Sequence, residues 1–252
     1  MEIGSTVLQN LRQIFSPTTQ TEKAGRTELK YICSYDILAI ISHQIRHWIA
    51  LDEHAEENGL YTVKSVYFDD IMNSSAMQND AGDGLRDKYR IRMYGADQNT
   101  LRLEKKRKMN TFSVKSSCPV DYDTYSRLTT GDVSPLLYGD THPLIKELSV
   151  KTLANHFRPK VIIQYERMAF HDTRTNIRIT LDINIRASGK TDAFLNQGYF
   201  TIPVQEQGQH VLEVKYDRVF PQYIRRQLEA YHLQQATFSK YYMGRQALAL
   251  LE

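Results

Sequence analysis

Cysteine is nearly missing from this chain: Cys33 and Cys118 are the two in 252 residues. They cannot build a disulfide framework and lack zinc-ligand spacing, so a reducing, cytoplasmic setting is expected. Glycine and proline are sparse, at twelve and seven, which excludes collagenous and low-complexity chains. No apolar run approaches the ~18 residues of a membrane span. Met1–Gln20 has no basic stretch leading into an apolar one, so no secretory signal is expected. The phosphate-cradling patterns G-x-x-x-x-G-K-[ST] and G-x-G-x-x-G are both missing. Covalent catalysis has no visible apparatus either, because Ser5, Ser113 and Cys118 have no base in any motif. His43 and His47 have i, i+4 spacing but no third ligand, which makes them helix-surface residues.

What is present is a concentrated positive charge. The formal net charge is only +3, yet the window from Lys88 to Lys115 holds nine Lys/Arg against Asp97 and Glu104, a local +7. The remaining residues are therefore net acidic. A field confined to one stretch points to a polyanionic partner rather than to general basicity.

The hydropathy pattern predicts one α+β domain over residues 26–252, preceded by an N-terminal arm with a short helix over residues 1–25. Arg26, Glu28 and Lys30 alternate with Thr27, Leu29 and Tyr31 as a strand does. An amphipathic helix is expected from Asp36 to Leu51, capped near Ser34. Tyr61–Asp69 reads as a strand, Asn73–Gly84 as a polar loop, and Lys88–Tyr94 and Leu101–Lys108 as a hairpin across Gly95–Thr100. A helical middle follows from Asp121 to Phe157, broken at Gly131–Pro135 and Pro143. Strands then resume from Lys160, across Asn176–Arg186, Phe200–Val204 and His210–Tyr216, and a helix runs from Pro221 to about Gln235.

The polar faces of these strands carry too many cations for ordinary solvated surfaces. Lys88, Arg90 and Arg92 share one face, Arg102, Lys106 and Lys108 another, and Arg167 and Arg178 join them from later strands. Like charges opposed across a hairpin are destabilising unless something negative neutralises them. An antiparallel barrel of about eight strands, apolar residues outside under helices and ions inside, resolves the conflict. Arginine forks and lysine point charges around such a bore would grip consecutive phosphates. Isolated acids among them, Glu28, Glu104 and Glu213, could hold a divalent metal, or orient their cationic neighbours. Lys105 and Arg107 alternate away from Lys106 and belong outside.

Eight short motifs in order extend this reading. They are Arg26-x-Glu28-x-Lys30-Tyr31, Tyr67-Phe68-Asp69, Lys88-x-Arg90-x-Arg92-x-Tyr94 and Leu103-Glu104-x-Lys106, followed by Tyr165-Glu166-Arg167-x-Ala169-Phe170, Arg178-x-Thr180-x-Asp182, Leu212-Glu213-x-Lys215 and Phe238-Ser239-Lys240-Tyr241. Together they resemble the VTC domain, the polyphosphate polymerase module of the vacuolar transporter chaperone complex, within the triphosphate tunnel metalloenzymes. The resemblance implies metal-dependent transfer of the γ-phosphate of ATP, or another nucleoside triphosphate, to a growing polyphosphate chain. It implies that Lys30, Arg90, Arg92, Lys106, Lys115, Arg167 and Arg178 line the tunnel and hold triphosphate or product. It assigns Mn2+ or Mg2+ to Glu213, and places Lys240, with Arg90 and Arg92, at the transferred phosphoryl group. Tyr94 and Tyr165 are candidates to hydrogen-bond phosphate.

Two departures accompany the resemblance. The fungal proteins carry a second lysine three residues before the position of Lys240, where this chain has Thr237. The phosphate-sensing helical domain and membrane anchor of the eukaryotic complex are not expected here. Two other functions stay open on the residues alone: a triphosphatase of the same fold, and a non-catalytic binder of polyphosphate or another polyanion. Nucleoside triphosphate and polyphosphate are the expected partners and nucleic acid is not, since base stacking requires exposed rings rather than inward arginines. A membrane-protein partner and the oligomeric state are left undetermined.

Overall fold

The computed structural model describes residues 27–82, 84–109, 112–217 and 220–251. The expected N-terminal arm, together with Arg26, lies outside them. In chain order the elements are β1 (Thr27–Ser34), α1 (Tyr35–Ile45), β2 (Tyr61–Asp69), α2 (Ser74–Asp80), β3 (Leu85–Tyr94), β4 (Arg102–Met109), β5 (Phe112–Pro119), α3 (Tyr122–Thr130), α4 (Pro143–Ala154), β6 (Arg158–Asp172), β7 (Ile177–Ser188), β8 (Ile202–Pro203), β9 (Gln209–Tyr216), α5 (Gln222–Ala230) and α6 (Lys240–Ala249).

Eight strands form one antiparallel path in the order β1-β9-β7-β6-β2-β3-β4-β5, with β8 paired to β7. The path curls into a half-barrel. Lys106 of β4 donates to Glu28 of β1 at 2.7 Å, although five strands separate β1 from β4 along the path. No backbone pairing joins β1 to β5 among the described residues, so the barrel is open along that seam.

Two apolar clusters cover the convex side. Tyr89, Ile91, Met93 and Leu103 pack with Leu128 of α3 and Leu148 of α4. Ile177, Ile179, Leu181, Leu212 and Val214 pack with Leu38 and Ile41 of α1 and with Ile224 and Leu228 of α5. These are the alternate residues of strands whose other face carries the charges, which is the period-two rule applied to a sheet with two different sides.

The concave side differs from the expectation of ions alone. Tyr67, Val161, Ile163, Tyr165, Ile185 and Ala187 form an apolar strip on it, covered by Phe238 and by Tyr241 of α6. Ile185 and Ala187 reach this side because the β6–β7 register shifts between Gln164 and Glu166. Asn184 takes up the extra residue with φ 52°. The unbroken alternation expected from Asn176 to Arg186 therefore changes sides at Asn184, as a bulge requires.

Other boundaries also moved for local reasons. The loop expected at Asn73–Gly84 contains α2 because the buried Asp69 carboxylate accepts from the backbone of Asp70, Ser75 and Ala76 at 2.9–3.2 Å. Helix α1 stops at Ile45 rather than Leu51, and the chain instead pairs with the end of β6. Asp52 N donates to Ala169 O at 2.8 Å, and His171 N donates to Ala50 O at 3.1 Å. Helix α5 ends at Ala230, short of Gln235, and the Phe238–Tyr242 segment opens α6 under a Ser239 cap.

Candidate functional site

Strand pairing decides which charges meet. Across β3 and β4, Arg86 faces Lys108, Lys88 faces Lys106, Arg90 faces Glu104 and Arg92 faces Arg102. Across β4 and β5, Lys106 faces Lys115 and Glu104 faces Ser117. Glu104 is thus an acid set within a field of cations. Its Oε2 accepts from Arg90 at 2.7 and 2.8 Å and lies 3.9 Å from Arg92 Nε, while Oε1 takes Lys115 Nζ at 2.5 Å. Burial by itself would raise this carboxyl, but Arg90, Arg92 and Lys115 hold it well below the usual range. Glu104 therefore orients cations, one of the two roles its position allowed.

Phenolic hydroxyls fix the two arginines further. Arg90 donates to Tyr67 at 2.8 Å, and Arg92 donates to Tyr165 at 3.2 Å and to Tyr94 at 3.5 Å. Both tyrosines singled out as phosphate partners thus hold Arg92.

A second acid organises the opposite wall. Asp182 on β7 accepts two hydrogen bonds from Arg167 on β6, at 2.6 and 2.8 Å, and takes Lys240 Nζ at 2.7 Å. The Lys240 ammonium lies 4.9 Å from the centre of the Tyr165 ring. Asp182 is fully buried. Desolvation opposes its charge, but Arg167 and Lys240 hold its carboxyl down at about 2.

Between these walls, on β1 and β9, the carboxylates of Glu28 and Glu213 share the Lys30 ammonium. Lys30 lies 3.1 Å from Glu28 and 4.0 Å from Glu213, and Lys215 is 3.3 Å from Glu213. Burial opposes the Glu213 charge, yet the cations Lys215, Lys30 and Lys240 keep it well below its ordinary value. Lys215 moves the other way: burial outweighs Glu213 and Glu28 and brings it to about 8.

The expected site residues Lys30, Arg90, Arg92, Lys106, Lys115, Arg167, Glu213 and Lys240 all reach this concave face. Lys106 and Lys115 stand at the open seam with half-exposed side chains. Arg178 sits apart at one mouth, tied to Asp52 at 2.8 Å and to the Tyr61 hydroxyl at 3.4 Å. Lys105 lies on the convex side as expected, although it is buried against Glu147 of α4. His43 and His47 are exposed on and just beyond α1.

Three residues outside the expected set belong to the site. Lys88 is on the concave face and donates to Asn79 at 2.7 Å and to Ser239 at 2.8 Å. Burial and the neighbouring Arg86, Lys30, Lys106 and Lys108 bring its pKa to about 7. Its alternation with Arg90 and Arg92 was the signal that places it. Asp182 and Lys215 carried a similar one, since each shares a strand face with an expected site residue. Among the described residues no group of three or more His, Cys, Asp or Glu side chains is placed to hold a metal unaided.

No curated protein sequence matches this chain. Among solved structures, similarity extends to a putative adenylate cyclase from Bacillus halodurans at 11% identity, covering 85% of this chain and 95% of that one with a TM-score of 0.49. The Mimivirus capping enzyme triphosphatase is 9% identical over 92% and 96% of the two chains, with a TM-score of 0.41. The PH1819 protein of Pyrococcus horikoshii is 12% identical over 82% and 86%, again at 0.41. The VTC domain family matches residues 25–249. That span takes in every strand of the half-barrel and every charged residue placed above, and the protein belongs to the VTC domain family.

Proposed function

We propose that this protein is a metal-dependent polyphosphate polymerase, moving the γ-phosphate of ATP to the end of a polyphosphate chain held in the concave face. The observation that carries this reading is the ratio of charges. Arg90, Arg92 and Lys115 share Glu104, and Arg167 and Lys240 share Asp182, so the face keeps a cationic surplus for a row of phosphates. Phosphoryl transfer asks little covalent chemistry of a protein, and positioned positive charge supplies most of the catalysis.

In the transfer, an oxygen of the terminal chain phosphate forms a bond to the γ-phosphorus as the bond to the β-phosphate oxygen breaks and ADP leaves. Arg90, Arg92, Lys30, Lys106, Lys115, Arg167 and Arg178 bind and align the phosphates, and Lys240 stands at the transferred group. Rings and carboxylates that already fix these cations reduce the reorganisation needed when charge shifts. Glu213, with Glu28 beside it, fits Mn2+ or Mg2+, which a site of this kind holds with one or two carboxylates and completes with substrate phosphates. When bound, the ion would neutralise triphosphate charge.

Incubation of the purified protein with ATP and Mn2+, with products run on a polyacrylamide gel, tests the reading. A ladder of polyphosphate supports it. Orthophosphate alone would move the assignment to a triphosphatase, and binding without turnover would leave a polyanion binder. The described residues contain no helix long and apolar enough to cross a membrane.

A further inference from the structure

The two ends of the half-barrel are chemically unlike. One end carries Lys88, Lys106 and Lys108, with Arg86 beside them, and the chain from Phe238 to Ser239 crosses there, accepting hydrogen bonds from Lys30 and Lys88. The other end is aromatic. Tyr94 lies six residues along β3 from Lys88, roughly 20 Å at the rise of a strand. The His54 ring stacks on the Tyr94 ring, with centroids 5.1 Å apart and planes within 14°. Tyr61 meets both edge-on, at 5.9 Å from His54 and 6.0 Å from Tyr94.

This ring cluster joins the cation file directly. The Arg92 guanidinium is 5.8 Å from the Tyr94 ring centre, and Arg178 donates to the Tyr61 hydroxyl. Asp52 connects the parts: its carboxylate takes Arg178 at 2.8 Å and the backbone N–H of His54 at 3.2 Å, while its own N–H donates to Ala169 of β6. His54 is exposed although it stacks on Tyr94, and Tyr61 beneath is buried. A chain of phosphates has no use for such a surface. A phosphate chain that ends in a flat heterocycle does.

We propose that the His54–Tyr94 stack seats the base of the incoming nucleotide, which fixes the polarity of the half-barrel: base at the aromatic mouth, phosphate chain running toward Lys88. This rests on the triphosphate reading above and adds where the nucleotide enters. Recognition is by stacking, which every base can satisfy through its π face. The site therefore takes nucleoside triphosphates as a class, with no hydrogen-bonding code for one base.

The test compares ATP with tripolyphosphate, which has the phosphates and no base. Calorimetry would measure both, with excess Mg2+, on the parent protein, His54→Ala and His54→Phe. His54→Ala is expected to weaken ATP by about tenfold, the scale of one lost stacking partner, and to leave tripolyphosphate unmoved; His54→Phe keeps the parent affinity for both. Unchanged tripolyphosphate binding also reports that the variant is folded. An equal effect of His54→Ala on the two ligands, or none on ATP, overturns the base seat. A parent that binds tripolyphosphate but not ATP overturns it while leaving a polyanion site, whereas a parent that binds neither ligand removes the triphosphate reading as well.

Discussion

Asp182 on β7 joins Arg167 and Lys240, and Lys240 is the first residue of the helix that closes over the concave face. One carboxylate thereby ties the strand wall to α6. Replacing Asp182 by Asn keeps the volume but leaves a buried guanidinium with a neutral partner. A loss of about 3–5 kcal/mol is expected, the cost of breaking a buried pair from one side. Chemical denaturation measures it, and a loss below about 1 kcal/mol would show that Asp182 is not the tie described.

Acid unfolding follows from the same residue. The Asp182 carboxyl titrates at about 2 in the fold, against about 3.9 for an unfolded aspartate. A depressed carboxyl contributes stability that is complete above the unfolded value and is lost as pH falls toward the folded one. Glu104 is shifted in the same direction by Arg90, Arg92 and Lys115, after burial is overcome. Stability should therefore hold down to about pH 5 and drop steeply between about pH 4 and pH 2. Asp182→Asn should show a shallower drop in a pH series of denaturation curves.

Arg90 and Arg92 belong to the fold as well as to the proposed phosphate site, because Glu104 is buried between them. Arg90→Ala with Arg92→Ala should reduce tripolyphosphate affinity by about a hundredfold, two charge-assisted contacts' worth. It should also lower the melting temperature, since Glu104 would keep only the half-exposed Lys115. Adding Glu104→Gln removes the stranded charge, so the melting temperature should recover in part while binding does not. Recovery of both would place those arginines in the fold alone.

Lys88 should make polyanion affinity depend on pH near neutrality. Its pKa is about 7 through burial and the cations Arg86, Lys30, Lys106 and Lys108. For a lysine lowered in the fold, the unfolded chain binds more protons between the two pKa values, so stability from this group rises with pH across that interval. A polyanion reverses the penalty by favouring the ammonium. The ratio of tripolyphosphate affinities, parent over Lys88→Gln, should fall as pH goes from about 6 to about 8.5. A ratio independent of pH would remove Lys88 from the binding face.

Gly244 sets how closely α6 approaches the strip beneath it. A Cβ there would meet Ile163 Cδ1 at 2.3 Å and Ala187 Cβ at 3.4 Å. Ile163 is fully buried, so its methyl has little room to yield. Gly244→Ala should cost about 1–3 kcal/mol through overpacking, despite the better helix propensity of alanine. Ile163→Val deletes the offending methyl, and the double variant should be more stable than the sum of the singles. Additive losses in that cycle would mean that the two residues do not meet.

Much of the site was legible in the sequence because alternation along a strand is local. Once Ile91 faces the core, Arg90 and Arg92 must face away from it, whatever lies next door. The β3–β4 hairpin, with a short turn between its strands, was legible for the same reason, and so were the breaks around α3 and α4, where Gly131 ends one helix and Pro143 opens the next. Helix α2 escaped because its cause is the Asp69 carboxylate, several residues upstream, gathering backbone donors. Helix α6 escaped because its short apolar contacts are made with β6 and β7 rather than along its own face.

The sequence by itself determined the sign of the charge, the strand faces that carry it and the family motifs in their order. Tertiary structure decided which acid serves which cation: Asp182 meets Lys240 from 58 positions away, and Asp52 brings Arg178 to the aromatic mouth. It also turned Ile185 and Ala187 inward at Asn184, giving the concave face an apolar strip for α6 to cover. The physical reason is range. Side-chain direction follows from the backbone of a few residues, whereas strand order, bulges and ion partners are selected by the packing of the whole sheet against its helices.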